Sequence, residues 1–369
     1  MKLYSIPADF ESESVYRIFE LNSKYRNSNV FEVYGQVTEN GIDSGRMLKT
    51  LPQITWNQLE RYILLLNDFG IKFNYTINQS CTSNIEFSKN GIRKFEALLQ
   101  RLLDIGIVNV TIALPSLIEI TRSYNKNFEI KASAICEINS VTKANFYKEI
   151  GVRRIVVDPD INRKFDVLKN ICSCFGPGTE IIVTNTCQRD CPYKMFHYNF
   201  CSHSNELLND TFVKNYYENR CFLQQAESDI SLMKQNWIRP EDINLYNDIG
   251  ITYFKVDGRH HVKEGDYFKT LEAYFSESFS GNLYELIHFF DGKQGVTRYL
   301  ENSALNGFLQ KFYENPLFCS GICEKCNYCS QFIKEAKTRK SRKVTSKLAT
   351  LLKENDDFKK LLQNKEEFK

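Results

Sequence analysis

The chain has 369 residues, of which 42% are hydrophobic, and its formal net charge at pH 7 is +3. A chain of this length can bury a large core without disulfides, and such a small net charge does not identify a nucleic-acid-binding protein. The N-terminus carries no apolar signal segment, and no stretch of about 18 apolar residues predicts a membrane span. We therefore expect a cytoplasmic protein with reduced thiols and no membrane contact.

Short β-rich segments alternate with helical segments from the N-terminus to about residue 275. The predicted strands are residues 3–6, 30–34, 72–77, 108–113, 128–134, 154–157, 180–183 and 253–256. Apolar residues at helical spacing predict amphipathic helices at 12–23, 55–69 and 89–105, and a glycine precedes several of the following strands, as expected at helix C-caps. This repeated order predicts an α/β fold and favours a TIM-like (β/α)8 barrel over a doubly wound sheet, which spacing alone does not exclude.

The pattern divides the chain into three regions. Residues 1–275 form the predicted barrel, with a long insertion after the seventh strand at residues 184–240. Residues 276–333 form a C-terminal extension with a cysteine cluster, and residues 334–369 form a charged helical tail. An insertion as long as the one after the seventh strand usually has a function.

Four cysteines near the C-terminus, Cys319, Cys323, Cys326 and Cys329, follow the spacing C-x3-C-x2-C-x2-C. In a reducing compartment, clustered cysteines more often bind metal or do redox chemistry than form disulfides. Thiolates suit Zn²⁺ and iron–sulfur clusters. The spacing resembles that of ferredoxins more than the widely separated C-x2-C pairs of zinc modules, so we predict a [4Fe–4S] cluster here, with zinc as the alternative.

A second group of cysteines lies upstream, in the long insertion. Cys187 and Cys191 have the spacing C-x3-C, and Cys201 and Cys221 follow. The remaining Cys136, in an apolar β segment, and Cys172 and Cys174, at the end of a helix, are interpreted as core or surface thiols.

Polar residues follow the predicted strands, at the carboxyl ends, where the active site of a TIM-like barrel lies. Arg46 and Arg259 can bind a carboxylate or phosphate through paired N–H groups, with a salt bridge between loops as the alternative. Asn78 and Asn185 can contact a substrate amide or cap a turn. We take Arg46, Asn78 and Asn185 as substrate-binding candidates and Arg259 as a catalytic candidate.

Three further residues complete the predicted catalytic set. His197 and His203 lie in the long insertion, and histidine can donate or accept a proton near neutral pH. A loop histidine bound to the backbone is an equally common arrangement. Asp257 can orient Arg259 or a histidine, or cap a helix.

Four segments together resemble the collagenase-like peptidase U-32 family: residues 180–203, 237–242 and 254–259, and the final cysteine run. The resemblance extends to about residue 334 and is to a divergent branch, because the signature His-Gly-Ala-x-Cys followed by Ser-Gly-x-Cys is absent. It implies a TIM-like barrel with a [4Fe–4S] cluster at its mouth. Some relatives are called peptidases, and others take part in oxygen-independent hydroxylation of ubiquinone precursors or RNA bases.

Matching the motifs of this family implies that Cys187, Cys191 and Cys221 are cluster ligands. Cys201 is the expected fourth ligand, because it lies in the same insertion, and Cys81 is the substitute. If Cys201 is not a ligand, His197 or an exogenous group could occupy the open iron, and the site would be catalytic.

Three functional hypotheses follow. The first is an iron–sulfur enzyme that modifies a peptide or RNA substrate by redox chemistry, with an electron-transfer partner. The second is a peptidase, which only the resemblance supports, because the chain contains neither Gly-x-Ser-x-Gly nor His-Glu-x-x-His. The third is a noncatalytic, metal-stabilised binding scaffold.

The C-terminal tail is the remaining candidate for a partner site. Residues 334–347 are basic, and apolar side chains follow at roughly helical spacing. The tail could bind RNA phosphates, an acidic peptide or a partner protein. A solvated helix is the alternative, because nearby acidic residues offset the charge.

Overall fold

The computed structural model describes residues 1–39, 44–203, 216–227, 229–290, 299–336, 350–354, 356–357 and 359. Eight parallel strands close into a barrel in chain order, with the last strand paired to the first. The strands are β1 Lys2–Pro7, β2 Ser28–Gly35, β3 Lys72–Ile77, β4 Asn109–Ile112, β5 Glu129–Ala132, β6 Arg154–Val156, β7 Thr179–Ile182 and β8 Tyr253–Lys255. The predicted α/β class and TIM-like barrel are confirmed.

Helices alternate with these strands and continue into the C-terminal region. The described α-helices are α1 Ser12–Lys24, α2 Trp56–Asp68, α3 Lys89–Asp104, α4 Pro115–Tyr124, α5 Val141–Glu149, α6 Phe165–Phe175, α7 Lys194–Ser202, α8 Tyr216–Glu227, α9 Ile230–Met233, α10 Ile243–Asp248, α11 Tyr267–Ser276, α12 Leu283–Ile287, α13 Gln310–Glu314 and α14 Tyr328–Ala336. Within the described ranges, no helix combines the length and the apolarity that a membrane crossing requires.

Local sequence signals explain where several of these helices begin and end. Helix α2 begins after Thr55, which forms a reciprocal capping box with Gln58, and the Ser88 side chain accepts the Gly91 N–H at the start of α3. Gly70 and Gly106 follow α2 and α3 with φ angles of +67° and +80°, a conformation that a side chain would disfavour.

The predicted fifth strand, residues 128–134, was too long, because a local hydrogen bond ends the observed strand earlier. Strand β5 ends at Ala132, because the Ser133 hydroxyl accepts the Ile135 N–H at 3.2 Å and begins the 3-10 turn Ala134–Cys136. Cys136 therefore lies in a turn rather than in a β segment, and its Sγ donates to the Ala113 carbonyl at 3.2 Å. It remains packed against the core, as expected.

A layer of buried charges crosses the inside of the barrel. Lys131 of β5 forms ion pairs with Glu32 of β2 and, at 2.8 Å, with Glu180 of β7, and Arg154 of β6 pairs with the same two carboxylates. Two positive side chains thus balance two negative ones. Although burial opposes ionisation, Arg154 and Lys131 hold the pKa of Glu32 well below its usual value.

The C-terminal extension packs on the barrel through a buried arginine. The Arg239 guanidinium binds both carboxylate oxygens of Asp242, at 2.8 and 2.9 Å, and donates to the Asn302 carbonyl at 2.9 Å. Further along, the Glu301 N–H donates to the Ala336 carbonyl at 2.9 Å. The division into three regions stays a prediction, and most of the tail, including residues 337–349, lies outside the described residues.

Candidate active site at the barrel mouth

A cavity of about 60 Å³ opens at the carboxyl ends of the strands, several times the space of about 15 Å³ that one water needs. Its lining includes the predicted site residues Arg46, Asn78, Asn185, Asp257 and Arg259. The loops after β2, β3, β7 and β8 bring these residues together, although they are far apart in the chain. Five residues that the sequence analysis named as site candidates thus line one cavity.

Arg259 is a buried cation with neutral hydrogen-bond partners. Its guanidinium donates to Gln36 Oε1 at 2.9 Å, and to Ser44 Oγ and Asn78 Oδ1, each at 3.1 Å. Burial lowers the pKa of Arg259 to about 10, so the side chain keeps its charge at neutral pH. The arrangement ties loops together as one interpretation expected, but through polar groups rather than a carboxylate.

Asp257 faces Arg46 across the mouth. The Asp257 carboxylate accepts a hydrogen bond from Thr184 at 2.7 Å and one from Asn185 at 3.5 Å, and Arg46 lies 4.0 Å from it. Asn185 also accepts the Cys187 N–H at 3.0 Å, as in a turn cap. The carboxylate therefore orients the loop after β7, whereas Arg259 is held by other groups.

Lys255 is a mouth residue that sequence reasoning missed. Its Nζ lies 3.1 Å from the centre of the Tyr34 ring, and the side chain lines the cavity. Burial, together with the charge of Lys131, lowers the pKa of Lys255 to about 7. The available signal was a lysine in an otherwise apolar strand, two residues before Asp257 and therefore on the same face.

The two predicted catalytic histidines lie on or beside α7, which contributes Tyr198 to the cavity lining. Burial and the nearby charge of Arg46 lower the pKa of His197 to about 4, so its imidazole is neutral at pH 7. His203 follows the last residue of α7, and its N–H bonds to the Asn199 carbonyl. His260 was missed: it is half-buried, and loss of solvent around its ring holds its pKa well below the ordinary value.

The upstream cysteines gather beside the mouth. Burial, together with Cys221 and Cys191, raises the pKa of the Cys187 thiol to about 12. Burial opposes charge on Arg46, but nearby groups that include Cys187 and Cys201 raise the pKa of its guanidinium. Cys187 therefore lies within electrostatic range of Cys191, Cys221 and Arg46, and Cys201 lies within range of Arg46. Cys81 is partly exposed after β3, and its Sγ accepts the Ser83 N–H at 3.4 Å.

The C-terminal cysteines line a second cavity, of about 30 Å³. The thiols of this cavity are Cys319, Cys323, Cys326 and Cys329. Arg163 and Arg189 share its lining, and Arg163 is buried, with its Nε lacking a hydrogen-bond partner among the described residues. Tyr328 stacks on Phe308 at the same place, with ring centres 5.8 Å apart.

The donor set at both cysteine groups is chemically suited to iron–sulfur clusters. In the described part of the chain, no three His, Cys, Asp or Glu side chains are arranged to hold a single metal ion. The C-terminal thiols nevertheless line one cavity, and thiolates are the donors that iron–sulfur clusters use. Arg163 supplies a buried positive charge beside these thiols, which would balance the negative charge of a four-thiolate cluster.

Comparisons with known proteins agree with this architecture. An uncharacterized protease from Methanocaldococcus jannaschii is 29% identical over 344 residues, which cover 90% of this chain and 97% of that protein. A U32 peptidase of known structure aligns with a TM-score of 0.50 and 16% identity over 70% of this chain and 94% of that chain, which is evidence for the fold alone. The sequence profile of peptidase family U32 matches residues 50–315 and ends before the C-terminal cysteines. The resemblance inferred from the sequence is thus confirmed, and the chain belongs to peptidase family U32.

Proposed function

We propose that the chain is an iron–sulfur enzyme that modifies a peptide or RNA substrate by redox chemistry at the barrel mouth. The observation that supports this most is the position of Arg46, which lines the mouth cavity and lies within electrostatic range of Cys187 and Cys201. A cluster held by the upstream cysteines would therefore border the substrate cavity. When bound, it would supply one-electron transfer.

The chain's own residues would bind the cluster and the substrate. Cys187, Cys191 and Cys221 are the proposed ligands, with Cys201 as the fourth and Cys81 as its substitute. Arg259 and Arg46 give the mouth an excess of positive charge over Asp257, which suits an anionic group such as a peptide carboxylate or an RNA phosphate.

The C-terminal cysteines are proposed to hold a second cluster. The buried charge of Arg163 supports this, because its guanidinium donates to the Gln235 and Met233 carbonyls but has no carboxylate within ion-pair distance among the described residues. An anionic cluster would neutralise that charge. Zinc remains the alternative occupant. An iron–sulfur cluster at this site would pass electrons to the mouth, whereas zinc would stabilise the extension.

A peptidase is the second candidate, because the Methanocaldococcus jannaschii relative is named a protease. A cysteine peptidase needs a thiol with a lowered pKa, held by a neighbouring base. Burial instead raises the pKa of the Cys187, Cys191 and Cys201 thiols. None of these three thiols therefore has the lowered pKa that nucleophilic attack requires.

Anaerobic purification, followed by iron, sulfide and zinc analysis, tests the proposal. The wild-type protein should be brown and should lose iron in the variants Cys187→Ser and Cys221→Ser. Cys174→Ser is the matched control, because a serine hydroxyl can still donate to the Ile171 carbonyl, as the thiol does at 3.3 Å. A colourless protein that cleaves peptides without a redox partner would favour the peptidase, and a colourless, zinc-loaded protein without activity would favour the scaffold.

A further inference from the structure

Lys255 is a buried amine whose neighbouring acids are already neutralised. Glu32 and Glu180, in the layer below it, pair with Lys131 and Arg154. Among the residues that the structure describes, no carboxylate oxygen lies within 4.0 Å of the Lys255 Nζ. The proton on this amine therefore gains no ion pair in return for the cost of burying its charge.

In the part of the chain that the structure describes, the one contact that favours a charged amine here is with the face of the Tyr34 ring, which attracts a cation less strongly than a buried carboxylate would. The Lys255 Nζ lies against this ring and borders the mouth cavity, while the Tyr34 hydroxyl is held by the Val256 carbonyl at 2.8 Å. A lysine amine desolvated in this way attacks carbonyl carbons readily. The lowered pKa of Lys255, about 7, agrees with this.

The charge and size of the cavity indicate what kind of carbonyl compound fits. Arg46 and Arg259 face the cavity with Asp257 as their acidic counterpart, so an anionic ligand group would balance the remaining charge. A volume of about 60 Å³ leaves room for a small anionic group such as a carboxylate.

We propose that Lys255 forms a Schiff base with a small carbonyl compound that carries a carboxylate, with Arg259 and Arg46 holding the carboxylate. The amine nitrogen bonds to the carbonyl carbon as the C=O π pair moves to oxygen. That oxygen then leaves as water with the two protons of the amine, and a C=N bond remains. Neither oxidant nor reductant is consumed. The imine would hold the substrate covalently and weaken bonds at its neighbouring carbon.

Reductive trapping tests this proposal on the full-length protein. The protein is incubated with glyoxylate and sodium cyanoborohydride, and the modified lysines are located by peptide mass spectrometry. We expect carboxymethylation of Lys255 ahead of the other lysines, including the ion-paired Lys131 and Lys194. With acetaldehyde, which lacks the carboxylate, trapping at Lys255 should be about tenfold weaker relative to surface lysines.

Two variants test separately whether Arg259 binds the carboxylate and whether Lys255 forms the imine. Arg259→Gln should lower trapping of glyoxylate at Lys255 but not of acetaldehyde, and Lys255→Arg should remove the preferred label altogether. An unmodified Lys255 in folded wild-type protein, or equal labelling of all lysines, would overturn the proposal without needing any variant.

The outcome is independent of the iron–sulfur proposal, because metal content is measured on the same sample. Iron-free protein with labelled Lys255 counts against the cluster alone. Iron-loaded protein without the label counts against the Schiff base alone.

Discussion

The Nζ of Lys131 lies 2.8 Å from Glu180 Oε2 inside the barrel, and both side chains are fully buried. Glu32 and Arg154 complete this layer, which lies directly below the mouth cavity residues of the same strands. Because alternate residues of a strand face the same side, the next inward positions of β2 and β8 place Tyr34 and Lys255 above it. The charges of this layer therefore contribute to the electrostatic potential at Lys255 in the mouth above.

Removal of Lys131 should destabilise the barrel strongly. In Lys131→Met, Glu32 and Glu180 share the single positive charge of Arg154, so one carboxylate remains buried without compensation. We expect a loss of about 3–5 kcal/mol in the free energy of unfolding, measured by urea denaturation. Lys24→Met, at an exposed pair with Glu272, is the control and should change little. Equal effects of the two substitutions would contradict this role for the layer.

Lys255 should make the free energy of unfolding increase as the pH rises. Its pKa is about 7 in the folded protein, against about 10.4 in an unfolded chain. Between these values the unfolded chain binds more protons, so stability rises with pH. The groups facing the amine are Lys131, Glu32, Glu180, Arg259, Tyr34, Arg46 and Asp257.

In Lys255→Met the buried charge is absent. The variant should therefore gain stability over the wild type at pH 6, and about 4 kcal/mol of that gain should disappear by pH 10. Urea denaturation at several pH values measures the difference. Lys126→Met, at an exposed site, serves as the control. Parallel stability curves for the wild type and Lys255→Met would show that the amine titrates normally.

Strands and helices whose ends depend on neighbouring residues were predictable from the sequence. Contacts between residues far apart in the chain were not. Strand β3 has the predicted bounds, because an apolar segment follows the glycine at position 70. Strand β5 was overextended, because the outcome depended on the Ser133 hydroxyl. Lys255 shares a strand face with Asp257, but its environment depends on Glu32 and Lys131, which are far away in the chain.

The cysteine groups illustrate the same limit. Cys319 and Cys329 are close in sequence and line one cavity, as neighbours in the chain readily do. Their spacing could not reveal that Arg163, from before α6, would supply the nearby charge. The charge balance of a site is a property of the folded chain, and this is where the structure adds most to the sequence.

Substitution of one C-terminal cysteine should lower the metal content without emptying the mouth site. Cys323→Ser removes one of the four thiols around the second cavity, so we expect iron and sulfide per chain to fall by about half if each site holds one [4Fe–4S] cluster. Cys174→Ser should retain the wild-type content. Loss of zinc with unchanged iron would instead identify the C-terminal site as a zinc site, and no change in either metal would exclude metal binding by Cys323.

Arg239 should be needed to hold the C-terminal extension on the barrel. It is fully buried, and Arg239→Met would leave the Asp242 carboxylate without its bidentate partner and the Asn302 carbonyl without a donor. We expect a loss of about 3–5 kcal/mol in the free energy of unfolding, because a buried charge is left uncompensated. Arg17→Met, at a partly exposed pair with Asp266, is the matched control and should cost far less. Limited proteolysis checks the location of the defect: cleavage should increase first around residues 299–336, and unchanged cleavage there would mean that Arg239 stabilises the barrel alone.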